Sequence, residues 1–543
     1  MKELHPKRGF KGVIPLRGFK GIIPLREFKG ETKCPPMAIN QSSGAGALFE
    51  LVARGVKDTF FIKDAKGSHF PYDASYTSSA HHLAERKTHV PLNQPLFGGS
   101  FEVEIDSYAD VMTDCTLEID MPTWLPSLPL HVADIVKGQT CDPATVNGLY
   151  SITTNDIAKT SYGYVNYVGY YLFEKIQFYQ DQFLVQEWSG DGLLAKQMTE
   201  GSWNSSFFDQ RIAGFNGTEN GNDSRRIQLQ ATPGSIRISL PLPGMQGPKD
   251  SGFPLVALPW QTFRIKCTLR KLEDLVICSD PSVTKPAPWD ISQFAYIFDD
   301  NMSVYTFSPK SRMEIGQPTI LLSTMQHYVP PAVQEELRSK PIQIPFRKLF
   351  ENRFSFGELD FIPLDKGGVA AVTRQLDGRH PTERIFWFFR NQNALDRNQL
   401  DNFYNDYFDF NVPTGVQPYT SPYGEFYYTM KLVIAGKDRE DSYGPTVWET
   451  ICQYAKDEKA SGKQIGSMRW SIGDTYGTVY PAPRQPEGTI NFTTADRPTL
   501  YIELANIVSN PLLAQRKAEF RVFTEGWNVY EVKEGRGRLL FSN

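Results

Sequence analysis

The clearest pattern of apolar and polar positions lies near the middle of the chain. Four apolar residues at alternate positions from Phe263 to Leu269 are separated by Arg264, Lys266 and Thr268. A period of two is typical of a strand with one buried and one solvated face. Residues 236–240 alternate in the same way until two prolines, which cannot donate to a strand ladder, end the pattern. The stretch therefore predicts two strands joined by a loop, as in a β-sandwich.

Similar short patterns recur along the whole chain. They predict strands at 101–105, 115–119, 303–307, 319–322, 342–346, 385–389, 426–434 and 499–504, and paired strands around 179–182. Near the C-terminus, the pattern predicts a hairpin that turns at Thr524 to Gly526. Residues 333–339 and 393–406 look helical or irregular. These elements predict two all-β halves.

Composition agrees with many short strands. The 543 residues include 36 Phe, 25 Tyr, 42 Gly and 38 Pro, and a chain of this length is too long for one core. No run of about 18 apolar residues occurs, so we predict no membrane-spanning helix. A proline-rich segment separates the halves, which predicts a first β domain at 37–280, a linker at 281–295 and a second β domain at 296–543.

Charge is distributed unevenly. Residues 1–33 hold nine Lys or Arg and three Glu, a net +6, whereas the whole chain has a formal net charge of −4. The same region contains a nine-residue repeat, RGFKGVIPL, RGFKGIIPL and REFKG. We interpret residues 1–36 as a basic arm, which is either a plain solvated tail or a segment that orders on a partner. Its candidate contact residues are Arg8, Phe10, Lys11, Arg17, Phe19, Lys20, Arg26, Phe28 and Lys29.

Candidate chemistry is sparse. His81, His82, Glu85 and His89 form one cluster, and a helix would place His81, Glu85 and His89 on one face, but no helix start or metal-binding motif accompanies them, so a solvated loop is favoured over a metal site. No nucleophile elbow or phosphate-binding loop is present. We therefore predict no catalytic residue, no cofactor and no metal.

Two further residue types bear on location. The six cysteines form no CxxC pair, which favours a reducing compartment with buried thiols such as Cys115 and Cys267. Asn-x-Ser/Thr triplets occur in one polar loop and are possible glycosylation sites if the chain meets that machinery, at Asn204, Asn216 and Asn222.

Five segments in order resemble the major capsid proteins of the large nucleocytoplasmic DNA viruses. They begin with GALFELVARGVKDTFFI at residue 46, followed by the stretch at 240–276, which ends the first barrel in that family. KLVIAGKDRED, RQPEGTINFTTADRPTLYIEL and the final FRVFTEGWNVYEVKEGRGRLLFSN are similar to later motifs of the family. Ala435 and Glu440 depart from its pattern, and the repeats of the arm are not a feature of it.

The resemblance implies an all-β fold of two consecutive eight-stranded antiparallel jelly-roll barrels, a double jelly roll with short helices in its loops. It implies a structural protein of the virion, assembled in the host cytoplasm, whose homotrimers form pseudo-hexameric capsomers of an icosahedral shell. Expected partners are copies of itself, neighbouring capsomers, and minor capsid and penton proteins. The basic arm would point towards an inner membrane or the genome. A jelly-roll carbohydrate-active enzyme or lectin, and a scaffolding relative of the capsid protein, stay open as alternatives.

Overall fold

The computed structural model describes most of the chain after residue 81. The described ranges are 82–124, 162–199, 233–246, 252–278, 283–289, 296–300, 303–307, 311–362, 371–405, 425–453, 463–470, 488–495, 498–505 and 517–541. Among these residues, no helix is long and apolar enough to cross a bilayer.

Strands dominate the described ranges. They are β1 (Leu83–His89), β2 (Ser100–Ile105), β3 (Val111–Asp120), β4 (Tyr162–Tyr164), β5 (Phe173–Gln180), β6 (Phe183–Trp188), β7 (Ser235–Ser239), β8 (Phe263–Leu269), β9 (Val276–Cys278), β10 (Tyr296–Asp300), β11 (Ser303–Phe307), β12 (Thr319–Tyr328), β13 (Ile342–Phe356), β14 (Val372–Gln375), β15 (Pro381–Asn391), β16 (Tyr427–Ile434), β17 (Lys437–Asp438), β18 (Ile465–Arg469), β19 (Ile490–Asn491), β20 (Thr499–Leu504), β21 (Ala518–Lys533) and β22 (Arg536–Leu539).

Helical segments are short. They are α1 (Val168–Tyr171), α2 (Gly190–Thr199), α3 (Pro331–Ser339) and α4 (Gln392–Leu395), with 3₁₀ turns at Leu255–Ala257, Leu272–Asp274 and Glu358–Phe361 and a π-helical turn at Val447–Ile451. Of the two segments that look helical or irregular, 333–339 lies within helix α3, whereas the described residues 393–405 form the end of the short helix α4 and irregular structure.

The strands form two barrels with the same sheet order. In the first barrel, the sheets run β1-β12-β3-β7 and β2-β8-β5-β6. In the second barrel, they run β13-β21-β15-β18 and β14-β20-β16-β17. Two short strands extend the first of these sheets, where β19 pairs with β15 and β22 pairs with β21. Each barrel pairs its first strand with its last, and its strands switch between two facing sheets except at the hairpins β5–β6 and β16–β17, which is the jelly-roll arrangement. The predicted double jelly-roll fold is confirmed.

Alternation in the sequence explains the inner faces of the first barrel. Strand β8 buries Phe263, Ile265, Cys267 and Leu269 and leaves the intervening residues partly exposed, as predicted. Strand β7 does the same with its two isoleucines. The facing sheets share one apolar core, because period-two patterning sends every second side chain between them.

Two expectations from the sequence differ from the structure. The predicted hairpin at Thr524 to Gly526 is wrong, because β21 runs unbroken and is paired on both sides, with β13 and β15. The turn comes instead at Glu534 and Gly535, before β22. Strand β12 follows the predicted linker 281–295 but pairs with β1 and β3, so the last strand of the first barrel lies beyond that linker.

Candidate functional site

The sheet that contains β15 is buried on both of its faces. Ile385, Trp387 and Phe389 point into the core of the second barrel. Phe386 and Phe388 point the other way and belong to the continuous core of the first barrel. This explains the run IFWFF, because a strand covered on both faces has no solvated side on which polar residues alternate. The two barrels therefore meet through the outer face of this sheet, a contact that we call the junction.

Helix α2 of the first barrel packs against the second barrel at the junction. Gly192 makes the close approach possible, because a Cβ at this position would lie 2.8 Å from the ring of Phe523 and 2.9 Å from Leu349. The helix follows β6 directly and carries two buried charged residues, Asp191 and Lys196, towards the second barrel. Burying a charged side chain costs free energy unless it is paired, so Asp191 and Lys196 need oppositely charged partners at this contact.

Asp191 is paired with three guanidinium groups from both barrels. Arg270, which follows β8, and Arg521 of β21 each place a nitrogen 2.7 Å from the Asp191 carboxylate, and Arg390 of β15 also pairs with it. Burial by itself would raise the pKa of Asp191, but the charges of Arg390, Arg521 and Arg270 hold it well below its usual range. The carboxylate is therefore ionised and links both barrels.

Glu525 forms a second ionic centre on the same face. Its carboxylate accepts a hydrogen bond of 2.5 Å from Nε of Arg384 and pairs with Lys196 of α2. Burial again opposes ionisation, but Arg384 and Lys196 outweigh it and lower the pKa of Glu525. Arg384 also donates to the hydroxyl of Thr199 at 3.0 Å, so the C-terminal end of α2 is fixed as well.

Aromatic rings flank the two ionic centres. The guanidinium of Arg390 lies 4.7 Å from the ring centroid of Phe388, and that of Arg384 lies 4.9 Å from the centroid of Phe386. These distances are within the range of cation–π interactions. Each arginine is thus held between a carboxylate and a ring, which limits the orientations it can adopt.

A loop of the second barrel extends the junction. Asn166 donates to the carboxylate of Asp401 at 3.0 Å, and the Tyr171 hydroxyl donates to the Leu400 carbonyl at 2.9 Å. Asn398 donates to the carbonyls of Glu273 at 2.7 Å and of Val276. Side chains and backbone groups therefore connect the barrels at several separate points.

The arrangement is suited to holding two barrels in one orientation. Both carboxylates are dry, ionised and surrounded by cations, so neither has a proton to donate at neutral pH. No group of three metal-ligating side chains comes together within the described ranges. The junction is a structural site.

Most site residues predicted from the sequence lie outside the described residues. This applies to the arm positions Arg8 to Lys29 and to the three asparagines, Asn204, Asn216 and Asn222. The helix considered for His81, Glu85 and His89 does not form over the described part of this cluster, because residues 83–89 form strand β1; His81 lies outside the described residues. The ring of His89 is buried and shares a hydrogen bond with the Thr324 hydroxyl at 2.9 Å.

Sequence reasoning missed the junction residues. Arg384 and Arg390 lie on either side of the run IFWFF. They stand at alternate positions with Phe386 and Phe388, so in a strand all four point to the same face. That spacing could have indicated cations on a buried outer face. Asp191 gives no comparable signal, because its partners lie at least 79 positions away along the chain.

Two jelly rolls with one strand order in a single chain place the fold in the double jelly-roll class. No family model matches the sequence. A stretch of 113 residues is 27% identical to the major capsid protein of Phaeocystis pouchetii virus, covering 21% of this chain and 20% of that protein. The chain therefore matches about a fifth of the length of this relative.

Solved capsid structures share the fold. The PBCV-1 virus capsid, in a quasi-atomic model, gives a TM-score of 0.58 at 14% identity and covers 87% of this chain and 99% of that chain. The Faustovirus major capsid protein gives 0.52 at 12% identity, with coverages of 85% and 92%. The resemblance to major capsid proteins that the motifs indicated is confirmed.

Proposed function

We propose that this chain is a structural capsid protein that forms homotrimers. The observation that carries the proposal is the junction, which fixes two barrels of equal strand order as one unit. Three such units supply six similar towers, so closed threefold symmetry can fill a sixfold lattice position. Sequence similarity to a major capsid protein supports the same role.

The proposal includes where the protein acts and what it contacts. We assign it to the shell of a virion, with assembly in the host cytoplasm, and to contacts with copies of itself, neighbouring capsomers, and minor capsid and penton proteins. We assign it no catalytic role; the two carboxylates of the junction, Asp191 and Glu525, have lowered pKa values, the opposite of a general acid. The arm at 1–36 faces inward, towards a membrane or the genome.

The domain division is part of the proposal. The arm precedes a first barrel that continues to Tyr328, and residues 329–341 with α3 connect it to the second barrel. This connection is later than the 281–295 linker, because β12 completes a sheet of the first barrel.

Size-exclusion chromatography with light scattering tests the assembly. We expect a particle of three times the 61.5 kDa chain mass. A stable monomer that cleaves glycans would overturn the capsid assignment in favour of a carbohydrate-active enzyme.

A further inference from the structure

The two barrels repeat one order of elements along the chain. Strands β1, β2, β3, β5, β6, β7, β8 and β12 hold the same places in the sheets of the first barrel as β13, β14, β15, β16, β17, β18, β20 and β21 hold in the second. A helix also follows the same strand in each barrel, since α2 follows β6 and a helix at 445–453, around the π-helical turn Val447–Ile451, follows β17. We call this helix the second-barrel helix.

The junction uses one surface from each barrel. Helix α2 of the first barrel lies on the outer face of sheet β13-β21-β15-β18 of the second, where Asp191 pairs with Arg521. The counterparts of these surfaces are the second-barrel helix and the outer face of sheet β1-β12-β3-β7, which includes Arg86, Leu321 and Met325 and which we call the free face. The junction residues described above lie on neither of these counterparts.

The second-barrel helix is fixed on its inner side and open on its outer side. Its buried Trp448 donates to a carbonyl of β16 at 3.0 Å, which anchors the helix to its own barrel. Thr446, Thr450 and Ile451 are exposed, Ile451 by 55%. Helix α2 is instead buried over nearly its whole length, because the second barrel covers it. The second-barrel helix thus presents uncharged residues to solvent in the place where α2 makes contact.

The free face is partly apolar. Isoleucine and leucine at alternate positions of β12 enter the core, so Leu321 and Met325 lie on the opposite side, where both are half-buried. Arg86 and Asp114 lie on either side of Met325 in the strand register and pair with each other at 3.1 Å. The face therefore has apolar area that a contact would remove from water.

A β-bulge aligns the free face with its counterpart. The register of β12 with β3 shifts after Met325, and the register of β21 with β15 shifts after Glu525. Aligned on this bulge, Leu321 takes the place of Arg521, and Met325 takes that of Glu525. Arg521 and Glu525 are residues of β21 that pair with α2. The free face therefore carries apolar side chains at the positions where its counterpart meets a helix.

We propose that the second-barrel helix of one copy packs on the free face of the next copy, as α2 packs on the second barrel within each chain. The inference rests on the proposed homotrimer and names the surfaces through which it forms. A second copy is the occupant that the repeat indicates, because the two surfaces are counterparts of two that already fit each other. Uncharged residues on the helix and apolar residues on the face need no ion pair between them.

The contact is head-to-tail, because it joins unlike surfaces. Such contacts form closed rings when the rotation between copies closes. Each chain offers one second-barrel helix and one free face, so a ring of three chains uses every such surface. The barrels then alternate around the ring between junctions within a chain and contacts between chains.

One substitution on each surface tests the proposal. We expect Ile451→Asp or Leu321→Asp to raise, by about a hundredfold, the protein concentration at which half of the chains are in trimers. An aspartate at the contact would lose its water without gaining an opposite charge, and the neighbour of Leu321 on β3 is Glu118. Light scattering of the full-length chain over a range of concentrations measures the change, and circular dichroism checks that each variant is folded.

Trp260→Asp is the matched control. Trp260 is 82% exposed, but it lies where the two barrels of one chain meet, because a Cβ at Gly535 would be 3.2 Å from its indole. The same charge at this exposed apolar residue should leave trimer formation at the wild-type concentration.

A mixture of Ile451→Asp and Leu321→Asp tests the head-to-tail order. Each variant keeps one intact surface, so the helix of Leu321→Asp can bind the free face of Ile451→Asp, and chemical cross-linking should trap particles of two chains. Both variants carry the same added charge, so the substitutions themselves cannot attract each other. A mixture that cross-links no more than either variant alone would overturn the proposal.

Trimers that persist in both variants at the wild-type concentration would also overturn these surfaces, but they would leave the capsid assignment intact. A wild-type chain that stays monomeric would overturn both the surfaces and the capsid assignment.

Discussion

At the residue scale, the central feature is a single carboxylate shared by three arginines. Asp191 lies on a helix of the first barrel, whereas Arg390 and Arg521 lie on neighbouring strands of the second. Burying charges costs desolvation free energy, and this cost is offset only when each charge keeps close partners. The junction therefore depends strongly on Asp191, because its removal leaves several buried cations with one partner fewer.

We expect Asp191→Asn to lower the free energy of unfolding by about 3–5 kcal/mol, the usual cost of breaking a buried ion pair from one side. Denaturant unfolding monitored by tryptophan fluorescence measures the change. Glu336→Gln is the control, because Glu336 of α3 is exposed and its ion pair is with Lys340, just after the helix. A loss as small as that of the control would contradict the importance of Asp191.

The same carboxylates predict acid sensitivity. Asp191 and Glu525 have lowered pKa values in the folded protein, so they stabilise it fully above the unfolded-state pKa values of about 4. The free energy of unfolding should fall as the pH drops below about 5, because the unfolded chain then binds more protons. Unfolding curves at several pH values should show that the free energy of unfolding falls less with decreasing pH for Asp191→Asn than for the wild type. An equal fall in both proteins would contradict the role of the Asp191 carboxylate in acid sensitivity.

At the element scale, local alternation predicted some strands well and others poorly. Strand β8 is exposed on one face, so its apolar positions could be read directly from the sequence. Strand β21 has neighbours on both sides and is buried over nearly its whole length. Its pattern therefore lacks a solvated face, and Gly526 suggested a turn. That glycine instead accommodates the carbonyl of Arg379, from which a Cβ would be 2.7 Å away.

Helix α2 should tolerate no added side chain where it meets β21. Gly192→Ala places a methyl group 2.8 Å from the ring of Phe523, and we expect a loss of about 1–3 kcal/mol from overpacking. Alanine otherwise favours a helix over glycine, so a loss would be a specific sign of the close contact. Thermal unfolding of Gly192→Ala tests this, with Gly357→Ala as the control. A Cβ at Gly357 would have no atom closer than 4.0 Å, so this substitution causes no overpacking. A gain in stability at Gly192 would contradict the packing.

At the scale of the whole molecule, sequence motifs indicated the class but not how the barrels are joined. The double jelly roll followed from ordered motifs and from short alternating strands in both halves. The junction brings together residues such as Asp191 and Arg521, which are 330 positions apart. No local pattern encodes such pairs, because their partners depend on how two complete sheets pack.

Electron microscopy of the purified, full-length protein tests the central claim most directly. If the junction fixes two similar barrels as one unit and three chains close a ring, averaged images should show six-lobed particles with threefold symmetry. Particles with two lobes only, or with lobes whose spacing varies from one particle to the next, would contradict both the rigid junction and the capsid assignment.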